Sequence, residues 1–173
     1  MADADDGRTY RGLPGAFPYA VRTSDSWAFR GYAVVAALVT ALVTLLLGTA
    51  LVVLVANTVG TAGGSLTLSR SFYVLVGLLV VIPVLAPVLL VARRHRRVGS
   101  DVRYDRRLAL AGFGFLVALY VGLVITVPPA QRTPPSGPLA PLIEVLYAVP
   151  PLAGLLPPLF AAALIALAHR RWR

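Results

Sequence analysis

Cysteine and lysine are both absent from this chain of 173 residues, and glutamate occurs once, as Glu144. Without cysteine there are no disulfides, thiolate metal sites, thiol nucleophiles or thiol redox relays. Two histidines, His95 and His169, are too few for a histidine-rich metal centre. Charge is also scarce: Asp, Glu, Lys and Arg make up 13% of the residues, where a soluble domain usually carries about 25%. No pair of acids lies at matched positions and no Ser-His-Asp set stands out. Gly12 with Gly15, and Gly63 with Gly64, do not join a strand to a helix with a following Lys-Ser or Lys-Thr, so neither is a phosphate loop. The sequence therefore offers no catalytic residues, metal ligands or cofactor site, and a non-enzymatic role is expected.

What the chain has instead is apolar length. Hydrophobic residues make up 58% of it and fall in blocks long enough to cross about 30 Å of hydrocarbon, which takes about 20 helical residues. The expected architecture is an all-α, polytopic membrane protein: a four-helix transmembrane bundle with a proline-broken fourth helix. The spans are expected at 33–56, 71–92, 108–127 and 151–168. Residues 1–32 form a leader, 33–168 the membrane domain and 169–173 a basic tail. The first apolar run starts near residue 33 and is longer than the core of a cleavable signal peptide, so none is expected.

The leader starts acidic (MADADD) and then mixes aromatic residues with arginine. Tyr10, Phe17, Tyr19, Trp27, Phe29 and Tyr32 alternate with Arg11, Arg22 and Arg30, which suits a lipid headgroup layer. Pro14, Gly15 and Pro18 are expected to break any early helix, and Ser24 or Asp25 to cap a short helix leading into the membrane.

Small residues are spaced for helix contact. In the first span Ala36, Thr40, Thr44 and Gly48 recur every fourth position, and in the third Gly114, Ala118 and Gly122 do the same. Such ridges let membrane helices approach closely, within one chain or between copies. Thr40 and Thr44 also admit a second reading, a polar track for a solute. Packing is preferred, because threonine hydroxyls bond their own helix carbonyls. In the second span Pro83 and Pro87 share a face and are expected to kink it. Residues 128–141 are proline-rich and expected to be extended. Pro150–Pro151 should separate a short segment, 140–149, from the last span, which Pro157–Pro158 should bend.

The arginines are uneven. Fourteen of the 16 lie in the leader, in residues 93–107 and in the tail; only Arg70 and Arg132 lie in the other two connections. Positive residues stay cytoplasmic, so both termini and residues 93–107 are expected inside. Arg93, Arg94, Arg96, Arg97, Arg106 and Arg107 are the expected ligands of anionic lipid headgroups. Nucleic acid is not an expected partner, since the run is wedged between two spans. Asp101 and Asp105 are expected to pair locally with Arg97, Arg103 or Arg106, and both histidines to sit at headgroup level. Glu144 is the one acid outside the cytoplasmic segments. An acid near hydrocarbon raises the possibility of a site, with Thr40 and Thr44 as companions. The plainer reading places it at the outer interface, hydrated or paired with Arg132 or Arg70.

The segment YRGLPGAFPYAVRTSDSWAFRGYAVV, residues 10–35, followed by four spans, resembles small four-span integral membrane proteins of halophilic archaea whose function is unknown. The acidic start and the lack of lysine agree with that source. The net charge of +9 departs from the acidic habit of halophile proteins, and its excess lies in the membrane flanks. The resemblance implies no activity. The expected role is a scaffold or accessory subunit of a membrane complex, acting as a homo-oligomer or with a membrane partner. The alternative is a small oligomeric transporter or channel using Glu144 and the proline-bearing second and fourth helices.

Overall fold

The structure, a computed structural model, describes residues 12–58 and 64–172. Among these residues six α-helices follow in order: α1 Gly12–Thr23, α2 Trp27–Thr58, α3 Gly64–Val98, α4 Val102–Thr126, α5 Ala140–Ala148 and α6 Leu156–Trp172. Short 3-10 segments, Pro129–Gln131 and Pro151–Leu155, precede α5 and α6. There is no strand among the described residues. Among the described residues, four helical stretches are long and apolar enough to cross a membrane: Trp27–Thr58, Leu68–Val98, Val102–Thr126 and Pro151–Trp172. The all-α expectation and the four spans therefore hold, with α2 and α3 longer than their apolar blocks. At 1.5 Å per residue α2 is about 48 Å long.

α4 is the hub, touching α2, α3, α5, α6 and the 3-10 turn before α6. The core is weighted toward one end. Its side chains come from the beginning of α2 (Phe29, Tyr32, Ala33, Ala36), the second half of α3 (Val84, Val88, Val91, Ala92) and the first half of α4 (Tyr104, Leu108, Ala109) with Phe115 at its middle. Ala161, Ile165 and Ala168 of α6 join them. Most lie toward the arginine-rich end, while Gly122, Ile125 and Gly154 are buried near the other. Tyr32 locks three helices together. Its hydroxyl donates to the Val84 carbonyl (2.7 Å), its ring meets Phe113 edge-on at 5.2 Å, and it lies against Gly112, where any β-carbon would collide with it. Beyond Ala36, α2 has no buried residue.

The leader departs from expectation. Pro14, Gly15 and Pro18 lie within α1 rather than breaking it. Pro18 is on the exposed side, whereas Ala16 and Ala20 are fully buried against the bundle. Packing of that alanine face, mainly on α3, outweighs the proline penalty, since most helix stability in proteins is tertiary. Phe29 and Tyr32 are core residues, not headgroup anchors; Trp27, 85% exposed, suits that role. The cap of α2 is neither Ser24 nor Asp25 but Ser26, whose Oγ accepts from the Phe29 amide (3.4 Å). Tyr10 and Arg11 lie outside the described residues.

The connections obey local rules. α3 stays helical through Pro83 and Pro87. Gly99, at φ +101, takes the left-handed conformation that ends α3, and its amide bonds the His95 carbonyl (3.2 Å). Asp101 then caps α4, accepting from the amides of Arg103 and Tyr104. At the other end Arg70 belongs to α3 and reaches back to Thr58 Oγ1 (2.6 Å), tying the end of α2. Arg132 donates to the carbonyls of Val127 (3.0 Å) and Tyr147 (2.8 Å), serving the ends of α4 and α5 together. Pro150–Pro151 separates α5 from the last span, as the proline pattern predicts. Pro157–Pro158 instead falls in the first turn of α6, where missing amides have no acceptor to lose. The last span changes from 3-10 to α there.

Candidate functional site

The buried faces of three helices continue into polar residues at the arginine-rich end. On α1 the series Ala16, Ala20 is completed one turn later by Ser24. On α3 the series Val84, Val88, Val91, Ala92 is completed by His95. On α4 Asp105 precedes Leu108, Ala109 and Gly112 on the same face. The 3.6-residue repeat therefore aims Ser24, His95 and Asp105 at one another. Their relative exposures are 0%, 7% and 0%.

They form a closed network with Thr23. Asp105 Oδ1 lies 2.9 Å from His95 Nε2, and Ser24 Oγ donates to Oδ2 at 2.5 Å. His95 Nδ1 lies 2.9 Å from Thr23 Oγ1. Thr23 gives its one hydroxyl hydrogen to the Tyr19 carbonyl (2.8 Å), so its oxygen is the acceptor for Nδ1. The network is complete with a hydrogen on Nδ1 and one further proton between Nε2 and Oδ1. The pair is then neutral as a whole, which is how a buried acid and base avoid an isolated charge. The Ser26 amide donates to Ser24 Oγ (3.2 Å), and Arg30 Nε donates to the Ser24 carbonyl (2.8 Å).

A second polar layer lies beside the first. His169 Nδ1 and the Tyr104 hydroxyl are 2.7 Å apart, joining α6 to α4. The Arg94 guanidinium stacks on the Tyr104 ring, 4.3 Å from its centroid, and Arg94 Nη2 pairs with Asp101 Oδ2 at 3.2 Å. The Tyr104 amide above all holds the Asp101 carboxyl below its usual range; burial, the next largest influence, opposes it, and the Arg103 amide and the Arg94 charge add to the lowering.

These contacts correct the expected pairings. Asp105 has no arginine partner among the described residues; it is inside the bundle with His95 and Ser24. Asp101 pairs with Arg94, not with Arg97, Arg103 or Arg106. Neither histidine is a mere headgroup residue. Arg94 is directed inward, and its Nε and Nη1 are buried with no acceptor among the described residues. Arg93, Arg97, Arg106 and Arg107 are exposed, as lipid ligands must be; Arg96 is exposed too, with an interaction of its own. The missed signal was periodicity. His95 and Asp105 continue apolar stripes, but their arginine neighbours conceal it.

The chemistry open to the cluster is restricted. Thr23, His95 and Asp105 follow the order hydroxyl, imidazole, carboxylate that activates nucleophiles. Here the hydroxyl hydrogen is committed to the Tyr19 carbonyl, and the imidazole is nearly covered. No group of three His, Cys, Asp or Glu side chains that could hold a metal ion occurs among the described residues. The arrangement holds four helices in register at one end of the bundle.

The other candidates are scattered. Glu144 is exposed on α5, and α5 does not touch α2, so it shares no site with Thr40 and Thr44. Arg132 and Arg70, its expected partners, are engaged with backbone carbonyls and Thr58. Thr44 and Gly48 line an open groove of about 290 Å³ between α2 and α3, with Gly77 and Tyr73 opposite. Thr40 Oγ1 is buried without a partner among the described residues. The two ridges do not meet as ridges. Ala36 is in the core, but a β-carbon on Gly48 or Gly114 would meet nothing within 4 Å. Gly122 meets Gly154 of the 3-10 turn before α6, so closely that a β-carbon on either would strike the other's carbonyl oxygen.

No curated protein and no solved structure matches the chain. A family model described as a domain of unknown function, DUF8056, matches it from residue 1 to residue 173, and the chain belongs to that family.

Proposed function

We propose that this protein is a non-catalytic subunit of a membrane assembly, a scaffold that receives a helix from a second copy or from a partner protein on the outer half of α2 and α3. One observation carries the reading: from residue 37 to its end α2 has no buried residue, although it runs beside α3. That is about 33 Å of helix at 1.5 Å per residue. Much of this stretch exposes large aliphatic side chains such as Leu42, Leu45 and Val52, which suit lipid. Thr44 and Gly48 interrupt them beside Gly77, along a groove also lined by Leu47, Leu51, Val74, Leu78 and Val81, and small residues are what permit close helix approach in hydrocarbon. The tight polar end supports the reading, since it joins α1, α3 and α4 without any contribution from the outer part of α2.

The proposed setting is the cell membrane, with both termini and the connection around residues 93–107 cytoplasmic and its outward arginines against anionic headgroups. The arginine distribution supports that orientation. The leader supports an archaeal source.

The absence of native cysteine makes the test simple. Gly48→Cys, oxidised in native membranes, is expected to give a crosslinked species larger than the monomer, with itself or with a partner carrying a cysteine or trapped by a bifunctional thiol–amine reagent. Leu159→Cys, on the exposed side of α6, is the control. A chain that stays monomeric at every concentration and crosslinks no better through position 48 than through position 159 refutes the proposal.

A further inference from the structure

A second groove, of about 320 Å³, runs between α4 and α6 at the arginine-rich end. Its floor is apolar, built on Leu110, Leu164 and Leu167, all substantially exposed. Its rim is cationic, with Arg107 and Arg171 lining it together with Trp172. The Arg107 guanidinium lies over the indole, 4.4 Å from the ring. Stacking holds the charge in place and leaves its N–H edge open. No acid among the described residues lines the groove: Asp105 is turned into the core and Asp101 is engaged by Arg94. From Leu164 to Arg171 the groove descends seven residues, about 10 Å along the helix.

We infer that this groove is a binding site for one anionic phospholipid, its phosphate between Arg107 and Arg171 and the upper part of an acyl chain along Leu110, Leu164 and Leu167. The charge pattern selects the occupant. A partner helix would leave two cations without counter-charge, whereas a lipid brings an anion and a chain at the spacing the groove provides. Trp172 sits at the junction, where an amphipathic ring is at home. The inference rests on the proposed headgroup-level placement of the arginine-rich end. It is independent of what covers α2 and α3.

The test uses Trp172 as reporter. Trp27→Phe leaves it as the single tryptophan. The full chain is reconstituted in phosphatidylcholine vesicles doped with chain-brominated phosphatidylglycerol or chain-brominated phosphatidylcholine. The anionic lipid is expected to quench Trp172 at a roughly tenfold lower mole fraction, in keeping with two arginines at a lipid surface. Arg107→Gln with Arg171→Gln should bring the two curves together. Arg171→Gln alone, which keeps the indole stack, should close part of the gap. Arg93→Gln with Arg97→Gln removes the same charge from exposed positions off the groove and should leave the preference in place. The inference is overturned if the two lipids quench alike in the parent, or if the remote pair removes the preference as fully as the rim pair. Quenching by neither lipid overturns it together with the headgroup placement, while crosslinking through Gly48→Cys would still stand or fall separately.

Discussion

Asp105 and His95 are ten positions apart, yet each is held almost out of contact with solvent by the other. Removing one member of a buried pair strands the other, at a cost of about 3–5 kcal/mol. Asp105→Ala and His95→Ala should each destabilise the bundle by that order. The double variant should lose clearly less than the sum, by about 1 kcal/mol or more. Unfolding in mixed detergent micelles measures all three, and strict additivity would show that the two side chains do not depend on each other. Asp101, 42% exposed, behaves differently. As a cap it is worth ~1 kcal/mol, so Asp101→Ala should be a mild variant. Its carboxyl titrates lower in the folded chain than when unfolded. The stabilisation is therefore whole above an unfolded value of about 3.9 and is lost as pH falls through the lower folded value. Thermal scans below pH 5 should show the parent losing its advantage over Asp101→Ala; an advantage constant down to pH 2 would contradict the assignment.

At the scale of elements, α1 is the segment least able to stand alone. It has 12 residues, an internal proline and no acid in its first turn, too short for a stable isolated helix in water. Its alanine face and the bonds from Thr23 and Ser24 hold it down. Ser24→Ala leaves Asp105 Oδ2 without its donor, a loss of about 1–3 kcal/mol, and loosens α1 before the rest. Limited trypsin digestion in detergent should cut this variant at the exposed Arg22 several-fold faster than the parent, with the bundle fragment intact; equal rates would mean that the Ser24 bond does not hold α1 in place. α1 also shows where sequence reasoning stops. Pro14, Gly15 and Pro18 are correct local signals against a helix, and the face that overrides them, Ala16-Ala20-Ser24, has value only once α3 lies beside it. The four spans were legible because hydrocarbon imposes helix on any apolar stretch of that length. The proline pair at 150–151 was legible for a similar reason, being a covalent constraint on the backbone.

Across the whole molecule, pairwise geometry was the part hidden from the one-dimensional pattern. The four-residue repeats in α2 and α4 suggested ridges for close helix approach, within one chain or between copies. The true close approaches are Gly112 beneath Tyr32 and Gly122 against Gly154, and Gly112 and Gly154 lie outside those repeats. Choosing among small residues requires knowing which helices are neighbours, and here α4 pairs most extensively with α6. The polar cluster was hidden similarly. Arginine density around His95 and Asp105 marks a headgroup region, and only the apolar stripes leading up to them reveal that these two turn away from it.

With Tyr32 bridging α2, α3 and α4 close to one rim and Arg70 bonded to Thr58 at the opposite rim, the two longest helices are fastened at both ends like the rails of a ladder. The stretch between the fastenings is where α2 buries no side chain, so any give in the pair lies in its middle, as a bowing of the helices, and not at its ends.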